Sequence, residues 1–168
     1  MTRVLLTLGV LLVVAGLYAL MLKGWRGRQR RQGDLPPPSA APEPRGQVLV
    51  GAVPGLFVGT TYAGSWLDRV AVHALGVRAA GWLVVSTDGV HVEREGEPEL
   101  FVPYASLEGV GLGQALAGKV VRPGGLLLLD WRLGNALLTS GFRADDQDTH
   151  PRLVAQVEDE LTRRAVRP

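Results

Sequence analysis

One segment near the middle of the chain has the spacing of a phosphate-binding loop. Gly113, Gly118 and Lys119 fit the pattern GxxxxGK, in which backbone amides and the lysine hold phosphate groups. Val120, however, stands where a Ser or Thr would ligate magnesium. Residues 121–125 (VRPGG) begin no helix, so no helix N-terminus would face a phosphate. The pattern therefore indicates a flexible loop between strands.

A second arrangement offers the residue types of a hydrolase triad. Ser65, Asp68 and His73 lie in one short segment, but no nucleophile elbow surrounds Ser65. The chain has no cysteine, which excludes a thiol nucleophile, thiolate metal sites and disulfides. We therefore expect a protein that is not an enzyme, with no catalytic residue and no cofactor.

The three histidines give no indication of a metal site. His73 falls in an apolar run that reads as a strand, and His150 borders a helix. His91 stands between Val90 and Val92, and this alternation predicts a side chain that faces solvent. No two histidines have the spacing of metal ligands.

Aromatic and cationic side chains are the better candidates for binding. Trp82 and Trp131 fall in predicted strands, where a core position is expected. Trp66 follows a Gly-Ser turn and is either an exposed contact or a plug at one end of a barrel. Cations that converge would bind an acidic peptide or a lipid head group, whereas scattered cations would only be solvated. The possible partner or lipid contacts are Trp66, Arg69, Lys119, Arg122, Arg132 and Arg143.

The basic charge is confined to one end of the chain. Residues 1–46 carry seven basic and two acidic side chains, whereas residues 47–168 carry 11 basic and 14 acidic ones. The larger part is therefore mildly acidic, and nucleic-acid binding loses its electrostatic support.

The chain begins with a predicted transmembrane anchor. Residues 4–22 contain no charge, and a helix of that length spans roughly 28 Å, close to the hydrocarbon core. A cleaved signal peptide is the competing interpretation, but the apolar run is long and no small-residue cleavage site follows it. Basic residues after the helix place the C-terminal side in the cytoplasm and would also contact anionic lipids. This membrane border consists of Lys23, Arg26, Arg28, Arg30 and Arg31.

A proline-rich stretch separates this anchor from the rest. Residues 32–46 hold five prolines, which favour an extended, semi-rigid spacer. The predicted domains are therefore an anchor with its basic border at residues 1–31, a linker at 32–46 and a globular domain at 47–168.

The globular domain is predicted to be mainly β. Short apolar runs are separated by turn signals, and Asp88-Gly89 and residues 132–135 predict hairpins. About seven antiparallel strands result, at residues 56–62, 69–75, 81–86, 90–93, 99–102, 126–131 and 136–142, with 110–112 as a further short one.

A helix closes the chain. Residues 151–166 carry Leu153, Val154, Val157 and Leu161 on one stripe, which must be buried against the sheet. Strands followed by one C-terminal helix, in about 120 residues, are the element order of a pleckstrin-homology (PH)-like barrel.

Several segments carry a family resemblance. Residues 59–80 (GTTYAGSWLDRVAVHALGVRAA), with residues 101–103, 117–121 and 125–143, resemble a bacterial family of membrane-anchored proteins with a PH-like domain. That family is typical of actinobacteria, and its genes tend to lie beside pyrimidine-biosynthesis genes. The resemblance implies a fold and a membrane location, but no established biochemical activity.

The leading hypothesis is a non-enzymatic, single-pass inner-membrane module that binds a protein partner at the cytoplasmic face, with its N-terminus outside. One alternative is a sensor of anionic lipids. Another is an accessory subunit of a membrane transport or export complex. Phosphoinositide binding is disfavoured, because residues 61–68 contain no Lys or Arg. The sequence does not identify the partner, the pathway or the oligomeric state.

Overall fold

The computed structural model describes residues 2–166, with the side chains of all of these except residues 2–6, 25 and 28–31. The chain forms two compact units, Met1–Asp34 and Leu35–Pro168.

The first unit is a single helix. Helix α1 spans Thr2–Arg31, and within residues 2–166 it is the one helix long and apolar enough to cross a membrane, a test that a signal sequence also passes. It continues beyond the apolar run at 4–22, because residues 23–31 are mostly Lys, Arg and Gln, which are good helix formers, and contain no proline.

The second unit is a sheet with one helix, as the sequence predicted. Seven antiparallel strands hydrogen-bond in the order β4-β3-β2-β1-β9-β8-β5, and β6 and β7 form a separate hairpin. The strands are β1 Val48–Tyr62, β2 Ala79–Ser86, β3 Gly89–Arg94, β4 Glu97–Pro103, β5 Leu107–Gly113, β6 Ala115–Leu116, β7 Lys119–Val120, β8 Leu126–Leu133 and β9 Ala136–Ala144. A 3₁₀ turn at Gln147–Thr149 leads into helix α2, His150–Ala165.

Both predicted hairpins are present. Val85 pairs with Val90 across the Asp-Gly turn, and Leu133 pairs with Ala136 across the next one. In the predicted C-terminal helix, Leu153 and Val157 are fully buried in the main core. That core also holds Phe57, Trp131 and Phe142.

The strand predicted at residues 69–75 is wrong. Only an isolated bridge joins Thr61 to Arg69 there, and His73 and Ala74 adopt left-handed backbone conformations, both with φ of 55°. Strand β1 already pairs with β2 on one side and β9 on the other. Pairing with β2 ends at Phe57, and beyond it this segment makes only scattered backbone hydrogen bonds to β1, from Thr60 N to Leu75 O at 2.8 Å and from Val70 N to Thr60 O at 2.9 Å. The left-handed turn at His73 and Ala74 prevents a regular ladder.

Of the two tryptophans expected in the core, Trp131 is 1% exposed but Trp82 is 40% exposed. Trp82 pairs with Pro54 on one neighbour strand and with Glu93 on the other. It therefore lies on the outer face of the sheet, opposite the core residues Leu83 and Val85 beside it in β2. The prediction of a core position for Trp82 is wrong.

Candidate binding site

A groove lies on the outer face of the sheet, between the connection that follows β1 and the β6–β7 hairpin. Its volume is about 230 Å³. The residues that line it come from β1, the connection after it, β6, β8 and β9: Thr61, Tyr62, Gly64, Ser65, Trp66, Ala115, Leu116, Leu128 and Thr139.

The β6–β7 hairpin forms one wall of the groove. Its two-residue turn, Ala117-Gly118, has φ values of 52° and 73°, which is the pattern of a type I′ turn. The glycine of the GxxxxGK pattern therefore serves a hairpin, and the loop expected between strands is a short pair of strands. Leu116 is 2% exposed and packs with Val58 and Leu126 in a small second cluster.

This hairpin can sit on the sheet because residue 141 is a glycine. Gly141 lies on β9, and a Cβ atom there would come closer than 3.0 Å to Leu116 Cδ2. Any larger residue at position 141 must therefore displace the Leu116 side chain. The packing of the hairpin against β9 depends on this close approach.

The opposite wall is the connection after β1. Tyr62 N donates to Asp68 O at 3.0 Å, and Ser65 N donates to Tyr62 O at 3.1 Å. Gly118 N donates to Trp66 O at 3.4 Å, which links the two walls. Trp66 is 45% exposed, so its side chain is open to solvent and does not plug the end of a barrel.

Arg69 fastens the same two walls. Its guanidinium donates to Gly76 O at 2.5 Å and to Ala117 O at 2.6 Å. Burial, with a smaller effect from the charge of Arg78, lowers the pKa of Arg69. These carbonyl contacts give Arg69 a role in holding the groove together.

The polar part of the groove is made of hydroxyl groups. Thr139 Oγ1 donates to Asp130 Oδ1 at 2.5 Å on the neighbouring strand. Burial raises the pKa of Tyr62, and the nearby charge of Asp68 adds to this effect. The groove therefore offers neutral hydrogen-bonding groups, with two carboxylates close by.

The other predicted contacts lie in different places. Lys119 is in β7, in the hairpin that also contacts Trp66 and Arg69. Arg122 donates to Gln147 Oε1 at 2.6 Å, near the start of α2, and Arg132 pairs with Glu108 at 3.0 Å. Arg143 lies on β9 opposite Leu56, and its Nε atom is buried with no hydrogen-bond partner in the described part of the chain. The fold thus brings Trp66, Arg69 and Lys119 to one region, and any ligand contact of the six residues stays a prediction.

The basic border lies in α1. Lys23 and Arg26 are exposed, whereas the side chains of Arg28, Arg30 and Arg31 lie outside the described residues.

The solvent-facing position predicted for His91 is wrong. The side chain does point away from the core residues Val90 and Val92, but it is 0% exposed. Phe101 covers it, with ring centroids 4.6 Å apart. Its ring nitrogens lie 2.8 Å from Glu99 Oε1 and 3.0 Å from Asp88 Oδ1. Alternation along β3 gave the correct face but could not show that neighbouring elements cover it.

This histidine cluster holds the chain that precedes β1. Arg45 donates to Glu93 at 2.7 Å and to Glu99 at 2.9 Å, and Gly46 N donates to Asp88 Oδ2 at 2.9 Å. Burial of Asp88 acts to raise its pKa, but hydrogen bonds from Ser86, His91 and Gly46 outweigh this effect and hold the pKa well below 3.8. These contacts fix the chain before β1 to the sheet, and we call this cluster the clasp. Ser86 and His91 are fully buried, so a substrate could not reach them.

Within residues 2–166, no group of three His, Cys, Asp or Glu side chains is arranged to hold a metal ion. The sequence of residues 32–158 matches the model of a family described as Bacterial PH domain-like. That range contains all nine strands, the groove and the first part of α2. No curated protein matches the chain at a significant level.

Proposed function

The chain belongs to the bacterial PH domain-like family, and from this membership we propose that it is a membrane-anchored module that binds a protein partner through the groove. PH-like domains are generally non-enzymatic binding modules. The fold alone does not fix a ligand, so the proposal depends on the chemistry of the groove.

The exposed apolar rim of the groove is the observation that carries this proposal. Trp66 is 45% exposed, Leu67 beside it is 61% exposed and Val120 on the hairpin is 63% exposed. Tryptophan is enriched among the residues that dominate binding at protein interfaces. Exposed apolar side chains around a concavity are typical of a surface that a partner covers.

The size of the groove favours a partner's side chain over a free small molecule. Pockets for drug-sized ligands hold roughly 300–1,000 Å³, whereas this groove holds about 230 Å³. A single apolar or aromatic side chain would fill it, while the surrounding surface contacts the rest of the partner.

Charge favours a protein over an anionic lipid at this position. Residues 63–68 contain no Lys or Arg. Arg69, the first cation after them, already donates to two carbonyl groups. Lys119 on the hairpin is a single cation in this region, so a lipid phosphate would meet hydroxyl groups and the carboxylates of Asp68 and Asp130 rather than a cluster of cations.

Helix α1 is proposed to span the inner membrane, with the globular unit in the cytoplasm. The support is the basic border after the apolar run, since cytoplasmic flanks carry an excess of Lys and Arg. A reporter that works only in the cytoplasm is expected to be active when it is fused after Pro168. Activity of a periplasmic reporter there would reverse the orientation.

Photo-crosslinking in native membranes tests the groove. A photo-crosslinking amino acid replaces Trp66 in one variant of the full chain and Trp82, which has a similar exposed fraction of 40%, in a matched control. We expect a discrete adduct with a second protein from position 66 and not from position 82. An adduct with the mass of a lipid, equal labelling at both positions, or no adduct at position 66 would each contradict the proposal.

A further inference from the structure

The seven-stranded sheet has two edges, and only one of them is protected. Strand β4 begins near Pro98 and ends at Pro103, and proline blocks strand pairing. The carbonyl group of Pro98 is also occupied, since Arg94 Nε and one terminal nitrogen of Arg94 donate to it at 2.9 and 2.5 Å. Further pairing at β4 is therefore hindered.

Strand β5 forms the other edge. Helix α2 packs against this strand more than against any other, but no proline or basic side chain within the strand blocks further pairing along it. Its sequence, LEGVGLG, contains no Pro, Lys or Arg. It pairs with β8 on one side, and within residues 2–166 no backbone hydrogen bond joins residues 108–113 to any other element. Residues 108–113 are exposed or half-exposed throughout. An edge of this kind presents free N–H and C=O groups to another chain.

The two faces of β5 differ in a way that suits an added strand. Val110 packs against the main core, and Leu112, which alternation places on the same face, is 45% exposed. On the other face, Gly109 and Gly111 would have nothing within 4 Å of an added Cβ atom. Glycine within a strand often marks a site where another backbone approaches closely.

We propose that β5 is a docking edge for an extended segment of a partner protein, which adds to the sheet as a further strand. Alternate side chains of that segment are apolar and lie beside Val110 and Leu112. The partner side chains that alternate with these apolar ones are large enough to cover Gly109 and Gly111. This inference rests on the proposed function and specifies the partner's binding segment.

A second copy of this chain fits the edge less well than a different protein does. In a two-fold pairing of two β5 strands, the face with Gly109 and Gly111 on one strand would meet the same glycine face on the other. Side-chain pairs across neighbouring strands stabilise a sheet, and that face would have none. A segment with side chains of its own supplies them.

The edge is also continuous with the groove. Leu128 lines the groove and pairs with Gly111 across the β5–β8 ladder. A partner that places one side chain in the groove therefore has only strand β8 to cross before its backbone reaches β5.

Crosslink mapping from two exposed positions of β5 tests the inference. A photo-crosslinking amino acid replaces Glu108 or Leu112 in turn, in the full chain in native membranes. The attachment points in the partner are then located by mass spectrometry. An extended segment gives attachment points about four residues apart, because strands rise about 3.3 Å per residue. A helix lying along β5 would need a separation of about nine residues, at about 1.5 Å each.

A second test places a charged side chain at the edge formed by β5. Gly111→Lys introduces no steric clash, and Gly51→Lys is its matched control because Gly51 also has open space around it and lies in β1, away from the edge. We expect Gly111→Lys to reduce the Leu112 adduct at least roughly fivefold, about 1 kcal/mol, with an unchanged unfolding midpoint. Gly51→Lys should leave the adduct as it is.

The outcomes separate this inference from the proposed function. An adduct from position 66 without any adduct from position 112 supports binding at the groove and overturns the proposal that β5 is a docking edge. Adducts between two copies of this chain, helical spacing, or equal effects of the two lysine variants also overturn it. A missing adduct at all three positions overturns both proposals.

Discussion

The contact between Leu116 and Gly141 allows a double-mutant cycle on the wall of the groove. Leu116→Ala removes a side chain that is 2% exposed, and such changes cost about 2–5 kcal/mol. The cluster around Leu116 has only four buried members, and a hairpin can settle inwards. We therefore expect a loss of about 2–3 kcal/mol.

Gly141→Ala should act in opposite directions in the two backgrounds. In the wild type its Cβ atom meets the end of Leu116, a flexible side chain, and overpacking costs about 1–2 kcal/mol. The lower entropy of the unfolded chain offsets about 0.4–1 kcal/mol of this, so a small net loss remains. With alanine at position 116 the clash is absent, and the same change should stabilise the chain by about 0.5–1 kcal/mol.

The measurement is denaturant unfolding of the full chain in detergent, followed by tryptophan fluorescence. Trp131 is 1% exposed and reports on the core. The two changes should couple by about 1–2 kcal/mol. Gly51→Ala, at a position with open space, is the control and should have the same effect in both backgrounds. Additive effects of the Leu116 and Gly141 changes, within about 0.3 kcal/mol, would refute this account of the hairpin's seat.

Three further predictions concern the groups that hold the domain together. Because its pKa is lowered on folding, Asp88 stabilises the fold above about pH 4 and loses this effect as the pH falls further; Asp88→Asn should lower the unfolding temperature at pH 7, and the gap to wild type should be narrower at pH 3. Ser140→Ala leaves Trp131 Nε1–H and the Thr60 hydroxyl without the partner that both contact; denaturant titration should show a loss of about 2–3 kcal/mol, and a loss below about 0.5 kcal/mol would contradict this role. Arg69→Lys cannot reproduce the planar fork that reaches two carbonyls; it should destabilise the chain in the same titration and weaken the Trp66 adduct, whereas an unchanged adduct would separate Arg69 from the groove.

Local patterns were sufficient for most elements of the fold, though not for residues 69–75 or the β6–β7 hairpin. The stripe that contains Leu153 and Val157 predicted a helix and its buried face, since helical periodicity places those residues on one side. The Asp88-Gly89 turn predicted a hairpin because few residues adopt the backbone conformations of a tight turn. Each of these properties depends on residues that are near one another in sequence.

The groove and the clasp could not be predicted in this way. Arg69 was a candidate cation, but only the fold brings its guanidinium to Ala117 O, a carbonyl 48 residues later. His91 was assigned to the correct face of its strand, yet Phe101 and Glu99 from the next strand bury it. Residues 69–75 have the composition of a strand, but the left-handed turn at His73 and Ala74 leaves only scattered backbone hydrogen bonds to β1.

The sequence by itself determined an apolar helix with a basic border, a mainly β domain and a C-terminal helix that covers its core. These follow from periodicity, charge and turn chemistry, which are local. The tertiary structure alone decided that a glycine on β9 seats the hairpin, that Trp66 borders a groove and that β5 is an open edge. Those features depend on which strands become neighbours, and the register between distant segments is set by the packing of the whole sheet.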